Sequence, residues 1–92
     1  MAINYRPREG IVYTNICGQH VLIPTRSVYQ YCKLLIPLPM IWAATWTLLK
    51  EGNEEKVIKL HKILTKKSDH DIIEHINDFC KQMCEAGYME RV

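Results

Sequence analysis

Short apolar stretches separated by turn residues in the first third of the chain form a pattern typical of strands. Ile11–Cys17 is rich in β-branched and aromatic residues, and Gly18-Gln19 after it suits a two-residue turn because glycine tolerates a positive φ. His20–Ile23 is the predicted partner strand, and Tyr31–Ile36 is a third strand. Because the connections between them are short, the three strands are predicted to form an antiparallel meander.

The longest uncharged stretch of the chain runs from Leu34 to Leu49. It is shorter than the ~20 apolar residues that a membrane-spanning helix needs, and Pro37 and Pro39 interrupt it. Both prolines disfavour helix in the residue before them, and Pro39 suits the first turn of a helix, where its missing N–H costs nothing. The stretch therefore divides into the end of a strand, a proline corner and a helix.

Three helices are predicted after the corner because residues that typically cap helices recur at suitable spacings. These residues are Gly52 at the end of the first helix, Asn53 and Ser68 at the starts of the second and third, and Gly87 at the end of the third.

Three strands followed by three helices predict an α+β domain over residues 10–92, after a loose, flexible N-terminal arm at residues 1–9. So few helices cover only one side of a three-stranded sheet, so an outer strand is expected to keep an unpaired edge. The N-terminal residues contain no apolar segment of a secretory signal, which predicts a cytoplasmic protein.

Charge is distributed unevenly, although the net charge of the whole chain is only +2. The predicted second helix is rich in lysine, whereas the third carries five acidic residues and one lysine between Ser68 and Ala86. A helix that reads DNA must approach phosphates. The acidic third helix therefore argues against the alternative function, a small winged-helix DNA-binding transcription regulator.

Cysteine and histidine are candidate metal ligands and catalytic groups, and the chain holds four of each. Cys80 and Cys84 fall on adjacent turns of the third helix, but structural zinc favours closely spaced pairs from two separate segments, and no second pair exists. The short chain also has no second domain with which to form a catalytic cleft. The sequence therefore predicts no metal, no cofactor and no enzymatic activity.

Pro24 and Thr25 follow the predicted second strand, and Leu38 lies at the proline corner. Trp46 and Leu49 precede the turn at Gly52, and Gly87 ends the third helix. The order and spacing of these residues resemble the PqqD-like proteins, also called RiPP precursor peptide recognition elements. In that family Pro-Thr-Gly closes the second strand, Leu-Asn precedes the first helix, Trp-x-x-Leu and a Gly turn end that helix, and Leu-x-x-x-Gly ends the last one. The departures are Arg26, Pro39 and Met83, where the family usually has Gly, Asn and Leu. The resemblance covers residues 10–90, and the matching residues are Pro24, Thr25, Leu38, Trp46, Leu49, Gly52 and Gly87.

The resemblance implies a winged-helix-like domain without a catalytic role. It implies a stand-alone protein that captures the leader of a ribosomally made precursor peptide by strand addition and presents it to a maturation enzyme, such as a radical SAM protein. The implied partners are the precursor peptide and that enzyme, in natural product biosynthesis, with no nucleic acid and no membrane. In such domains the leader lies along the third strand and packs against the third helix.

Strand addition requires a free row of backbone donors and acceptors beside apolar pockets. On a helical wheel the third helix has a core stripe and, on one side only, an apolar shoulder. The predicted peptide-binding residues are Tyr31, Cys32, Lys33, Leu34, Leu35 and Ile36 of the third strand and Ile73, Asn77, Cys80 and Cys84 of the shoulder.

Three alternatives remain open at this stage. Either Leu34 and Ile36 or Lys33 and Leu35 face the core. In the second alternative, the shoulder binds no peptide and is covered by the N-terminal arm or by the tail at Tyr88 and Met89. The open edge also suits a homodimer, in which two copies pair edge to edge.

Overall fold

The computed structural model of the chain describes residues 2–92. Strands β2, β3 and β4 form one antiparallel sheet in that order, and β1 pairs with β5 in a separate two-stranded sheet. The predicted α+β fold, with a three-stranded antiparallel sheet and three helices, is confirmed. The elements are β1 (Tyr5–Pro7), β2 (Ile11–Ile16), β3 (Gln19–Pro24), a 3₁₀ turn (Arg26–Val28), β4 (Ile36–Leu38), α1 (Met40–Lys50), α2 (Glu54–Thr65), α3 (Asp69–Glu85) and β5 (Met89–Arg91).

The third strand of the sheet lies further along the chain than the sequence predicts. β4 pairs Leu22 with Ile36 and Val21 with Pro37, so the predicted strand over Tyr31–Ile36 is wrong except for its last residue. Proline is tolerated in an edge strand because its missing N–H need not serve a neighbouring strand. The prediction ended the strand before Pro37, whereas the structure uses that proline inside it.

The turn of the first hairpin is shifted by one residue from its predicted position. It consists of Cys17 and Gly18, whose φ angles are 52° and 82°, and not of Gly18 and Gln19. Two consecutive positive φ angles are typical of a type I′ turn, whose twist matches that of the flanking strands. The side-chain oxygen of Asn15 accepts a hydrogen bond of 2.9 Å from the N–H of Gly18 and closes the turn.

The predicted helix ends are confirmed. Asn53 and Ser68 each accept a hydrogen bond of 3.3 Å from the backbone N–H three residues further on, at the starts of α2 and α3. Gly52 and Gly87 follow α1 and α3 with φ angles of 75° and 95°. Each of these features needs only residues within one helical turn, which explains why the sequence pattern located them.

The N-terminal residues differ from the loose arm of the prediction, since they contain a strand. β1 pairs antiparallel with β5, and the guanidinium of Arg6 donates to the carboxylate of Glu90 at 2.9 Å. Ile3 is buried in the core, and its N–H donates to the carboxylate of Glu54 at 2.6 Å. Met1, the first residue of the predicted arm, lies outside the described residues.

The core contains residues from all three helices and from both sheets, with Trp46 as its largest fully buried side chain. In the described part of the chain, no helix is both long and apolar enough to cross a membrane.

His61 of α2 is a buried ionisable group in this core. Its Nε2 lies 2.7 Å from the Thr45 hydroxyl, which also lies 2.8 Å from the carbonyl oxygen of Ile41. A hydroxyl has one proton, so Thr45 donates to the carbonyl and accepts the Nε2–H of His61. Burial, with a smaller contribution from the charge of His75, lowers the pKa of His61 below its ordinary value.

Stability is therefore expected to fall as the pH is lowered. Because the pKa of His61 is lower in the folded than in the unfolded chain, the unfolded chain takes up a proton first. The stabilisation is complete above the unfolded value of about 6.5 and is lost as the pH falls towards the folded pKa. Urea unfolding between pH 7.5 and pH 5 measures the slope. His61→Gln should flatten it, and an unchanged slope in this variant would contradict the assignment.

Candidate functional site

β4 leaves one edge of its sheet without a strand partner. It pairs with β3 on one side, and no strand within residues 2–92 pairs with its other side. Opposite residues of an antiparallel ladder either exchange two backbone hydrogen bonds or none. Pro37 lies opposite Val21 and has no N–H, so this pair exchanges none. We infer that the carbonyl of Pro37 points to the free edge. Pro39, which follows β4, also has no N–H, so the two prolines leave few backbone donors along this edge.

The segment before β4 is attached to the C-terminal end of α3. The carbonyl of Tyr31 packs so closely on Gly87 that a side chain at Gly87 would overlap it. The thiol of Cys32 donates to the Gly87 carbonyl at 3.4 Å, and the hydroxyl of Tyr88 donates to the carbonyl of Leu34. These contacts hold the upstream end of the β4 edge beside α3.

Both side-chain donors at this junction stay protonated. Burial raises the pKa of the Cys32 thiol, against a smaller opposing effect of the Arg8 charge. Burial, aided by Cys32, raises the pKa of the Tyr88 hydroxyl. Arg8 itself lies over the ring of Tyr31 at 3.7 Å from its centroid and donates to the Gly87 carbonyl at 3.0 Å. The junction therefore keeps its hydrogen bonds at neutral pH.

Helix α1, which follows β4, contacts α3 through aromatic side chains. Trp42 of α1 stacks on Phe79 of α3, with ring centroids 4.1 Å apart and planes 15° apart. The Trp42 ring also lies 5.4 Å from the ring of His75. We call the side of α3 that carries His75 and Phe79 the Phe79 flank. This flank therefore contacts the helix that begins two residues after β4.

The other side of α3, which carries the predicted shoulder, contacts the N-terminal residues of the same chain. The side-chain oxygen of Asn77 accepts the N–H of Asn4 at 3.1 Å, and its amide nitrogen donates to the carbonyl of Ala2 at 3.0 Å. The N-terminal residues thus contact the shoulder at Asn77, which is the kind of contact that the first of the two alternative covers requires. The one-sided apolar shoulder was interpreted as a peptide groove, whereas in the structure the residues before β1 bond to one of its members.

The two cysteines of the shoulder are free thiols. Cys80 is fully buried, whereas Cys84 and Ile73 are half-buried. Burial, aided by Cys84, raises the pKa of Cys80 to about 12. Cys80 therefore packs as a small apolar residue of the core.

Neither of the two predicted arrangements, in which alternate side chains of residues 33–36 face the core, describes the exposure of these side chains in the structure. Leu34 and Leu35 are 74% and 50% exposed, and Tyr31 and Lys33 are exposed as well. Cys32 is buried, and Ile36 is half-buried. Neighbouring leucines are both exposed because this segment is not a strand. They form an apolar surface next to the free edge of β4.

Two aromatic residues beside this edge were not among the predicted site residues. Phe79 lies at the margin of the α3 core stripe on a helical wheel, and Trp42 was one of two tryptophans in α1. A large aromatic residue at the margin of a core stripe is the signal that marks the Phe79 flank. The stack between residues so distant along the chain is a tertiary contact and has no local pattern.

Comparisons with known proteins give a match at the level of the fold. No protein-family model and no curated protein matches the chain. The solved structure of TbiB1 in complex with the TbiA(beta) leader peptide is similar, with a TM-score of 0.70 and 16% sequence identity. The similarity covers 92% of this chain and 94% of TbiB1. This chain therefore has the fold of a protein whose structure was solved with a leader peptide.

Proposed function

We propose that this chain binds the leader of a ribosomally made precursor peptide and presents it to the enzyme that modifies the peptide. The leader adds as a strand along the free edge of β4 and packs against the Phe79 flank. The observation that carries this proposal is the unpaired edge of β4 beside Leu34 and Leu35, both exposed. The fold shared with TbiB1 in its leader complex supports it.

The prolines of the edge decide how affinity is divided between backbone and side chains. Pro37 and Pro39 remove two donors, so the leader gains few backbone hydrogen bonds and needs apolar contacts with the exposed leucines and the Phe79 flank. Successive side chains of a strand point to opposite faces, so the leader should carry apolar residues at every second position. The same prolines oppose edge-to-edge pairing of two copies, which disfavours the homodimer.

The Phe79 flank is proposed as the helical part of the site because it is not covered by the N-terminal residues. A leader on the shoulder of Ile73, Asn77, Cys80 and Cys84 would have to displace the residues that bond to Asn77. That displacement would also remove Ile3 from the core. Burying an isoleucine side chain stabilises a fold by about 1.5–3 kcal/mol, and the leader would have to offset this loss.

Amide chemical-shift mapping tests the proposal and distinguishes the two flanks. The probe is a synthetic peptide with the leader sequence of a precursor encoded beside the gene for this chain, and a scrambled peptide is the control. We expect amide shifts for residues 33–36, Leu38 and Phe79, and a shift of the indole N–H of Trp42. Shifts confined to residues 2–7 and the Asn77 side chain would instead assign the leader to the shoulder. No specific shift in either region would overturn the peptide-binding function.

Salt dependence separates this function from a DNA-binding regulator. Leader binding through backbone pairing and apolar contacts should weaken by less than about threefold between 50 and 200 mM salt. A protein that neutralises about 6–10 phosphates loses roughly 10³–10⁵ in affinity over that range. Fluorescence anisotropy of a labelled leader and of a labelled duplex measures both. Tighter binding of the duplex with the steep salt dependence would support the regulator.

A further inference from the structure

A second apolar surface lies on the side of α1 that faces away from Trp42. It is a groove of about 580 Å³ between the β2–β3 hairpin, α1 and α2, and we call it the hairpin groove. Met40, Ala44 and Thr47 line it on α1, and on a helical wheel they lie roughly opposite Trp42. Helix α1 therefore separates the hairpin groove from the Phe79 flank, and the free edge of β4 is the edge opposite the one that pairs with the hairpin.

The walls of the hairpin groove are largely apolar. Tyr13 and His20 of the hairpin form one wall, with rings stacked at 5.9 Å and the Tyr13 hydroxyl 2.6 Å from Nδ1 of His20. Leu60 and Ile63 of α2 form another. Ile63 and Met40 are 70% and 74% exposed, so large apolar side chains lie open at the mouth of the groove. Contiguous apolar surface of this kind is typical of interaction sites.

The charged residues that line the hairpin groove are both lysines. Lys56 and Lys59 line it, and its lining contains no aspartate or glutamate. Neither lysine forms an ion pair with any residue from 2 to 92, whereas the neighbouring Lys62 lies 3.0 Å from the carboxylate of Asp69. Two unpaired cations beside an apolar groove complement a ligand that is both apolar and acidic.

We propose that the hairpin groove binds an amphipathic segment of a partner protein, with apolar residues that fill the groove and carboxylates that meet Lys56 and Lys59. A second copy of this chain fits less well, because a two-fold dimer through this groove would bring the same lysines together. The identification of the partner as the peptide-modifying enzyme rests on the proposed function. The predicted binding of an apolar, acidic segment does not rest on it. The position of α1 leaves the β4 edge accessible while the groove is occupied.

Two synthetic helical peptides test this proposal. They share the same leucines at helical spacing, and one carries glutamates where the other carries lysines. Titration calorimetry should show at least tenfold tighter binding of the glutamate peptide. When this peptide binds, the amide chemical shifts of the protein should change at Ala44, Thr47 and Leu60. Lys56→Glu with Lys59→Glu should reverse the preference. Lys50→Glu with Lys67→Glu, an equal change of charge outside the groove, should preserve it.

Equal affinity for the two peptides, or shifts elsewhere on the molecule, would overturn the proposal. A molecular mass that rises with protein concentration, together with shifts at the same groove residues, would assign the groove to a second copy instead. Leader binding is measured on the same variants. If the Lys56/Lys59 variant still binds the leader, the groove acts independently of the leader site. If a variant of the β4 edge loses leader binding but still binds the glutamate peptide, the proposed function fails at that edge and the groove proposal stands.

Discussion

Replacing Leu35 by glutamate is expected to weaken leader binding at least tenfold without lowering the stability of the protein. Leu35 is half exposed, so its replacement removes little of the core. It lies immediately before β4, where a leader strand would cover it, and a carboxylate there would lose its water against apolar leader residues. A tenfold loss corresponds to about 1.4 kcal/mol. Binding is measured by titration calorimetry, and stability by urea unfolding.

Leu64→Glu is the matched control for this change. Leu64 is 60% exposed on α2 and lies outside the β4 edge, so the same substitution should leave leader affinity unchanged. An equal loss in both variants would show a general effect of added negative charge. Unchanged binding in Leu35→Glu would remove the β4 edge from the site.

Replacing Gly87 by alanine should lower the free energy of unfolding by about 2–5 kcal/mol, since two costs add. The first is the positive φ of 95°, which costs a residue with a Cβ about 1–2 kcal/mol. The second is the overlap of that Cβ with the Tyr31 carbonyl, because overpacking a well-packed site costs about 1–3 kcal/mol. Urea unfolding measures the sum.

Gly52→Ala separates the two costs. Gly52 also has a positive φ, of 75°, but no atom lies within 4 Å of the position that its Cβ would take. The variant should therefore lose only about 1–2 kcal/mol. Equal losses in the two variants would mean that the contact between Gly87 and Tyr31 is not tight. A larger loss in Gly87→Ala should be accompanied by weaker leader binding, because Cys32 and Leu34 are held in place through the same junction.

The predictions for Leu35 and Gly87 both concern how the segment before β4 is held against α3. The segment from Tyr31 to Leu35 is not a strand, yet Gly87 and Tyr88 hold its upstream end against α3, while Trp42 and Phe79 join α1 to α3 downstream of β4. A free edge attached in this way needs little ordering before a peptide binds, and lower ordering costs favour affinity.

The free edge is an example of a feature that the sequence predicted in kind but not in position. The small number of helices indicated that at least one outer strand keeps an unpaired edge, and within residues 2–92 both outer strands of the sheet, β2 and β4, do so. The strand itself was placed at Tyr31–Ile36, a largely apolar stretch, whereas the structure begins it at Ile36. Register depends on which residues of β3 are available for pairing, and the sequence of the strand alone does not contain that information.

The sequence by itself determined the helix ends, the division of the uncharged run at its prolines and the α+β order. Asn53, Ser68, Gly52 and Gly87 act through hydrogen bonds and φ angles within one turn, so their effect is local. Only the tertiary structure decided which flank of α3 is covered, because β1 pairs with β5 at the opposite end of the chain. Such a pairing depends on where all the intervening elements place the two termini, and no local pattern specifies that.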